Sequence, residues 1–494
     1  MAGPIPELEE RATRCARRLC EADRVLLASH IDADGLTSAA IAAQALERAG
    51  IPFETVFEKQ LDEEAIAAIA ATDYDTVCFT DFGSGQLDII GEHEDAGDFT
   101  PVIADHHQPA DRETEYHLNP LLFGIDGASE LSGAGASYVL ARALSEVAGE
   151  ELATDGGTAN TAARADNRDL AALAVVGAVG DMQASGGELH GANEKIVEEG
   201  ADAGVVETGK DLALYGKQTR PLPKLLEYAT DVHIPGISND ESGALRFLED
   251  LDLELRREDG EWRRWSGLTN EEKQTVASAL VRRAVSRGVP AKKIDQLVGT
   301  SYVLSEEPIG TELRDASEFS TLLNATARYE RADVGLGVCL GNREGALERA
   351  RTLLRNHRRN LSEGIDLVTR EGVTHEEHLQ WFHADDRIRE TIVGIVAGMA
   401  MGNDGVSRSK PIVAFAEKSS DGDDADTTEV KISARGTHSL VRNGLDLSVV
   451  MGEASRAVGG DGGGHDVAAG ATVPKGRETE FLEHADEIVG EQLS

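Results

Sequence analysis

The sequence predicts an α/β protein with a parallel-sheet N-terminal domain (1–225), a mainly helical middle region (226–373) and a smaller α/β domain (374–494). Three observations carry this. Short apolar strands alternate with helix-period segments from Arg24 onward, the pattern of a parallel sheet. From about Gln218 to Gly341 the pattern changes to mixed helical segments. After about Thr374 a second strand–helix–strand pattern begins. At 494 residues the chain exceeds one ordinary core, which implies two or three domains.

Taken in order, residues 6–22 read as an amphipathic helix and Arg24–Ser29 as a short buried strand. The strand runs into His30-Ile-Asp-Ala-Asp-Gly35 and then a helix, Leu36–Gly50. Phe53–Phe57 is a strand, Ala65–Ala71 is helical, and Thr76–Thr80 and Val102–Ala104 are strands ending at Asp81 and Asp105. Ser132–Val147 reads as a helix, 154–168 as a polar loop, and Leu170–Val179 as a buried helix leading to Gly180-Asp181. Glu344–Leu361 is a long Arg-rich helix. Beyond it come helix Arg387–Met401, strand Pro411–Ala416, an acidic loop at Ser419–Thr428 that reads as a solvated hairpin tip, and strand Val430–Arg435. In such sheets ligands gather at the carboxyl ends of strands, where the first three polar clusters stand.

Composition bounds the setting. Hydrophobic residues are 40% of the chain but aromatics only 4%, so aliphatic side chains must supply the packing. The formal net charge is −41, and 12 of the 48 basic residues are Lys. That balance suits a cytoplasm of molar salt, where charges are screened over roughly 3 Å. A nucleic-acid path on such a surface must be a local patch of Arg. The four cysteines form no C-x-x-C pair, which argues against zinc and a disulfide framework. The charged N-terminus has no apolar signal core, and no run approaches the ~18–20 apolar residues of a membrane span, so a cytoplasmic location is expected.

Four clusters carry chemistry. In His30-x-Asp32-x-Asp34-Gly35, side chains at i, i+2 and i+4 of a strand end can converge on one point. Imidazole nitrogen and carboxylate oxygen suit a hard divalent ion such as Mn²⁺. Calcium loops and plain turns share D-x-D-G. Asp81 follows a strand, where a lone Asp is commonly a cap or turn residue. Asp105-His106-His107 offers one His to a metal and another to substrate, against the alternative of a surface His pair. Asp181 ends a very apolar segment; half buried there, it needs a partner or a metal unless it is a turn residue.

Together, in this order, the clusters resemble the DHH phosphoesterase superfamily, in SHIDADGLTSA (29–39), FTDFG (79–83), ADHHQP (104–109) and VGAVGDM (176–182). The resemblance implies a two-metal site: His30, Asp32 and Asp81 on one Mn²⁺; Asp34, Asp81, His106 and Asp181 on the other, with Asp81 bridging and Mg²⁺ as an alternative ion. Two ions roughly 3.5–4 Å apart clamp the attacking and leaving oxygens of an in-line displacement. His107 would contact the scissile phosphate or leaving group. His30 departs from the first Asp of the bacterial RecJ motif, although other superfamily members use His there.

Lys431–Gly436, with Ser433 and Arg435, and then Gly462-Gly463-Gly464-His465, resemble the DHHA1 substrate-binding domain. A Gly-rich loop before a helix would offer backbone N–H groups to a phosphate, and a flexible turn is the alternative. The resemblance implies that Arg435 grips a phosphate bidentately. It also implies that His465 faces the metals as a catalytic group once a hinge closes. Glu312–Arg328 resembles the RecJ-type interdomain segment, implying that Asn324 and Arg328 lie near the nucleic-acid path. Arginines of Glu344–Leu361 can hold phosphates or form a solvated face. Length and this segment resemble archaeal RecJ-like nucleases, including one that associates with the replicative GINS complex. They imply a single-strand exonuclease of replication and repair, 5′→3′ on DNA, with RNA from the 3′ end as a variant. A phosphodiesterase of oligonucleotides or cyclic dinucleotides and a non-catalytic replisome scaffold are the competing readings. The resemblance is weakest at 184–300, where insertions such as Leu253–Trp265 match nothing in it.

Overall fold

The computed structural model describes residues 3–154, 166–184, 187–229, 232–417 and 429–493. Of the expected loops, 155–165 and Ser419–Thr428 lie outside the described residues. The chain divides into two compact units, Met1–Arg351 and Thr352–Ser494.

In the first unit, helix α1 (Glu9–Cys20) buries Ala12, Cys15, Ala16 and Leu19 at helical spacing. Strand β1 (Val25–His30) is buried along its apolar length. Helix α2 (Ala33–Ala49) starts at Asp32, whose carboxylate accepts the Gly35 amide, and stops at Gly50 in the left-handed conformation (φ 78°). There follow β2 (Phe53–Glu58), α3 (Glu63–Ala70), β3 (Thr76–Thr80), α4 (Leu87–Ala96), β4 (Thr100–Ala104) and the short β5 (His117–Leu118). The sheet runs β2-β1-β3-β4-β5 with every pair parallel. Its order reverses between β1 and β3, which opens a crevice beyond their carboxyl ends. Helices α5 (Gly133–Thr154) and α6 (Ala171–Gly180) pack with α2. Helix α6 is apolar nearly all round and buries Leu173, Val175 and Val176, so its last residues are held firmly near that crevice.

Helix α7 (Ala192–Asp202) leads into β6 (Val206–Leu212), α8 (Leu222–Glu227), α9 (Glu241–Glu249), α10 (Asn270–Ser286), α11 (Ala291–Ile294) and β7 (Val298–Leu304). These enclose a separate core around Leu222, Leu226, Phe247, Leu248, Trp265 and Leu280. Strand β7 interrupts the helical middle stretch and pairs antiparallel with β6, Val206 opposite Leu304. That partner lies far earlier in the chain, so local periodicity does not announce the pair. Helices α12 (Ala316–Ala327) and α13 (Ala332–Cys339) return to pack on α2, and α12 also on α6. Helix α14 spans Gly345–Glu371, ten residues beyond its expected end at Leu361. Its Arg351 is engaged by Glu312 and Glu348.

The second unit contains β8 (Thr374–His375), β9 (Gln380–His383), α15 (Glu390–Ala400), β10 (Ile412–Glu417), β11 (Glu429–Arg435), α16 (His438–Arg442), α17 (Leu447–Ala457), β12 (Asp461–Gly464), β13 (Ala468–Pro474) and α18 (Glu478–Leu493). Its sheet runs β12-β13-β11-β10-β9-β8, antiparallel except between β10 and β9. One expectation is corrected. Gly462, Gly463 and Gly464 are not a loop before a helix; they form edge strand β12, after helix α17 and paired with β13. Glycine is required because a Cβ on Gly462 would sit 2.7 Å from the Met451 carbonyl of α17 and 2.8 Å from the Ala471 side chain. Among the described residues, no helix is long and apolar enough to cross a membrane.

Candidate metal centre

The crevice gathers polar groups from four strand or helix ends. His30 closes β1; Asp32 and Asp34 open α2; Asp81 follows β3; Asp105, His106 and His107 follow β4; Asp181 caps α6. His30 Nδ1 lies 3.3 Å from Asp32 Oδ1 and 3.7 Å from Asp81 Oδ2. His106 Nε2 lies 3.3 Å from Asp81 Oδ1 and 3.7 Å from Asp34 Oδ2, and its Nδ1 is 3.8 Å from Asp181 Oδ2. Three groups of donor atoms each fall within 4.8 Å: His30, Asp32 and Asp81; Asp34, His106 and Asp181; and Asp81, Asp105, His106 and His107.

Backbone geometry holds the carboxylates in place. Asp34 is buried, and its two oxygens accept the Gly133 and Ala134 amides at 2.7 and 3.0 Å. The N-terminus of α5 thus lends its partial positive charge to a carboxylate that burial alone would neutralise. Asp81 adopts φ 62°, a conformation that costs a non-glycine residue roughly 1–3 kcal/mol. A Cβ on Gly133 would stand 2.2 Å from Asp81 Oδ1, so only glycine lets α5 approach this closely.

The electrostatics are those of crowded acid and imidazole. Burial and the neighbouring Asp81 and Asp181 push Asp34 well above the usual carboxylate range. Burial likewise raises Asp181, to about 6. Burial opposes the charge on Asp81, but the His106 and His30 rings facing it outweigh burial and hold the group at about 2. Burial pulls the His106 and His30 rings down. The aspartates around them pull harder, to about 11 and about 10.

The donor set fits a divalent ion. Carboxylate oxygen with imidazole nitrogen suits Mn²⁺ or Mg²⁺ over soft metals. Asp81 Oδ1 is buried and accepts no well-formed hydrogen bond from the described residues; a buried carboxylate oxygen in that state lacks the partner its desolvation demands. His106 Nδ1 donates to the Gly127 carbonyl at 2.7 Å, which turns Nε2 toward Asp34 and Asp81.

Two residues support the centre in ways the sequence did not assign. Asp105 is fully buried and accepts from the Ser84, His106 and His107 amides and from His107 Nδ1, the last at 2.8 Å. Burial opposes its ionisation, yet these bonds, led by the His107 ring, hold it well below the usual carboxylate range. It orients His107, whose side chain is 56% exposed and free to meet substrate. Gln183 is 1% exposed; its Nε2 bridges the Gly127 carbonyl and Asp181 Oδ2, each at 2.8 Å, and its Oε1 accepts from Asn193 at 2.6 Å. One carboxamide thereby positions both His106, through Gly127, and Asp181. The Asp-His-His run was a visible signal for Asp105, whereas a lone glutamine two residues after Asp181 carries none. Gln183→Leu is expected to lower Mn²⁺ affinity about 10- to 100-fold. Titration of free Mn²⁺ by electron paramagnetic resonance measures this, and wild-type affinity would show the bridge to be idle.

The remaining sequence candidates divide between the two units. Asn324 Oδ1 accepts the Ala33 amide at 3.1 Å, which pins α12 to the first turn of α2 beside Asp32 and Asp34. Arg328 is exposed at the end of α12. In the second unit, Arg435 and Ala468 are paired at one end of the β11–β13 ladder, and His465 stands in the β12–β13 turn at that same end. Ser433 is buried opposite Gly470. The Arg435 guanidinium lies over Gly394 of α15, where a Cβ would sit 2.5 Å from Nη2.

Models of three known domains match this chain: the DHH family N-terminal domain at 24–175, the DHH-CID domain at 214–298 and the DHHA1 domain at 378–491. An uncharacterized protein of Methanocaldococcus jannaschii is 30% identical over 473 residues, 94% of this chain and 93% of its own. Among solved structures, the fold resembles Thermus thermophilus RecJ in complex with Mn²⁺ (TM-score 0.59, 15% identity, 99% of this chain). The match covers 56% of that RecJ chain. It also resembles CDC45 from Entamoeba histolytica (TM-score 0.62, 12% identity, 98% of each chain) and an exonuclease RecJ bound to manganese (TM-score 0.56, 16% identity, 98% of this chain and 94% of the other).

Proposed function

Because the chain belongs to the DHH family of metal-dependent phosphoesterases, with a DHHA1 domain after its DHH domain, we propose that it is a Mn²⁺-dependent exonuclease of single-stranded nucleic acid, RecJ-like and 5′→3′ on DNA. The observation that carries this reading is the crevice itself, where Asp81 is grouped with His30 and Asp32 and its Oδ1 lies 3.3 Å from His106 of the neighbouring Asp34, His106 and Asp181 set. All six proposed ligands and His107 are present, which a scaffold that had lost its chemistry would not need.

His30, Asp32 and Asp81 would hold one ion, and Asp34, Asp81, His106 and Asp181 a second. Bound ions would supply a deprotonated water near neutral pH and neutralise charge on the phosphoryl oxygens. Asp81 ties the two sets together. Gln183 and Gly127 fix His106 and Asp181, so the donors need no rearrangement as an ion enters. Asp105 holds His107 with its ring toward solvent, poised to meet the scissile phosphate or the leaving oxygen. Arg435 and Ser433, with Gly462, Gly463 and Gly464, are proposed to hold a substrate phosphate, His465 to act as a catalytic group, and Asn324 and Arg328 to flank the strand. Replication proteins, including a GINS-like complex, are the proposed partners, and residues 1–225, 226–373 and 374–494 the proposed functional divisions.

The test is incubation with Mn²⁺ in about 2 M KCl, a salt level chosen from the charge-screening argument, with single-stranded DNA and RNA labelled at either end. Stepwise mononucleotide release from the 5′ end of DNA is expected. Release from the 3′ end of RNA would reverse polarity and sugar preference, cleavage of short oligomers alone would replace the exonuclease by a small-substrate phosphodiesterase, and no cleavage by folded, metal-loaded protein would leave a scaffold.

A further inference from the structure

A cavity of about 380 Å³ opens directly on the cluster, with His30, Asp81 and His107 in one wall. Its size falls within the ~300–1,000 Å³ of small-ligand pockets. Its floor is apolar, built from the buried side chains of Leu61 and Phe82. Gly85, in the loop after β3, leaves the entrance unobstructed: the nearest atom to a Cβ there would be the Gln108 carbonyl at 3.8 Å.

The polar groups away from the cluster are unusual for this chain. Gln60, Gln86 and Gln108 line the cavity, three of only ten glutamines in the sequence. They come from the segments after three successive strands, β2, β3 and β4. Apart from the cluster's own Asp81 and Asp105, no carboxylate among the described residues lines the cavity, although 89 of the 494 residues are acidic, and Lys59, also in the lining, is paired with Glu330 at 3.2 Å. A wall of neutral carboxamides beside a phosphoesterase centre suits a ligand that is flat, uncharged and edged with donors and acceptors.

We propose that this cavity is a nucleoside subsite, receiving the base and sugar of one nucleotide joined to the scissile phosphate. The base lies over Leu61 and Phe82. Its hydrogen-bonding edge meets the carboxamides of Gln60, Gln86 and Gln108. Each carboxamide carries both donors and an acceptor and can turn to present either, so the subsite grips every base without reading sequence. This assignment rests on the phosphodiesterase reading of the cluster, and it separates from that reading in one respect: base binding needs no hydrolysis.

The experiment compares binding of AMP and of ribose 5-phosphate, which lacks the base, by equilibrium dialysis in Mn²⁺. Wild-type protein is compared with Gly85→Phe, which fills the entrance without straining the backbone, and with the triple variant Gln60→Ala/Gln86→Ala/Gln108→Ala. Wild type is expected to bind AMP about tenfold or more tighter than ribose 5-phosphate, a gap of the size that a few contacts in a fitted pocket produce. Both variants should close that gap while keeping wild-type Mn²⁺ uptake. Equal binding of the two ligands by wild type, or an undiminished AMP preference in both variants, would overturn the subsite. Strand hydrolysis is measured alongside: AMP preference without hydrolysis would remove the exonuclease and leave the subsite standing, and hydrolysis without AMP preference would do the reverse.

Discussion

Asp81→Asn should abolish phosphodiester hydrolysis while the protein remains folded. Asp81 lies between the two donor sets: it is grouped with His30 and Asp32 and stands 3.7 Å from His30 and 3.3 Å from His106 of the second set. Asparagine keeps the shape of the side chain and tolerates the left-handed backbone at φ 62°. It removes the negative charge that draws the two halves of the site onto one centre. Losing several kcal/mol of metal-borne charge stabilisation corresponds to a fall in kcat of more than about 10³-fold. Circular dichroism of the variant should match wild type, and its Mn²⁺ stoichiometry should drop. Activity within a few fold of wild type would remove Asp81 from the centre and with it the shared-ligand reading.

Metal withdrawal should have the second large effect, on stability as well as activity. Without an ion, Asp34, Asp81 and Asp181 crowd one crevice and repel one another. Dialysis against EDTA is therefore expected to stop hydrolysis and lower Tm. Mn²⁺ at about a hundred times its Kd should restore roughly 2.7 kcal/mol. The sign of the pH dependence follows from the ligands' chemistry, since an ion takes neutral imidazole and ionised carboxylate. In the metal-free protein the His30 and His106 pKa values are raised, to about 10 and about 11, so both rings carry protons at pH 7. Those protons must leave as metal enters. Mn²⁺ affinity should accordingly rise from pH 6 to pH 9, and calorimetric titrations in buffers of different ionisation enthalpy should register proton release. A flat affinity across that range, or a Tm indifferent to EDTA, would show that these residues do not hold the ion.

How much of the fold and the centre is legible in the sequence depends on how far apart the interacting residues lie along the chain. Asp81 and Asp105 could be placed at strand ends because Thr76–Thr80 and Val102–Ala104 are short apolar runs followed at once by polar residues. In a parallel sheet all such ends lie along one edge. Asp181 was placed by the apolar segment before it, which forms the buried helix α6. The Gly462–Gly464 run misled, because three glycines signal a loop as readily as an edge strand lying against a helix, and the choice depends on Met451 and Ala471. Strand β7 was hidden within a helical stretch because its partner, β6, lies far from it in sequence.

The sequence by itself therefore determined the layer type, the order of the clusters and the acid and imidazole groups that gather at the strand ends, since these follow from local hydrophobic period and from residue chemistry. Tertiary structure alone decided how the donors are held. Gly133 brings α5 against Asp34 and Asp81; Gln183 and Gly127 turn His106 and Asp181 inward; three glutamines from separate strand ends share one cavity. Each of these is a contact between segments that close-packing brings within a few ångströms, and no local pattern along the chain encodes which distant residue will be the neighbour.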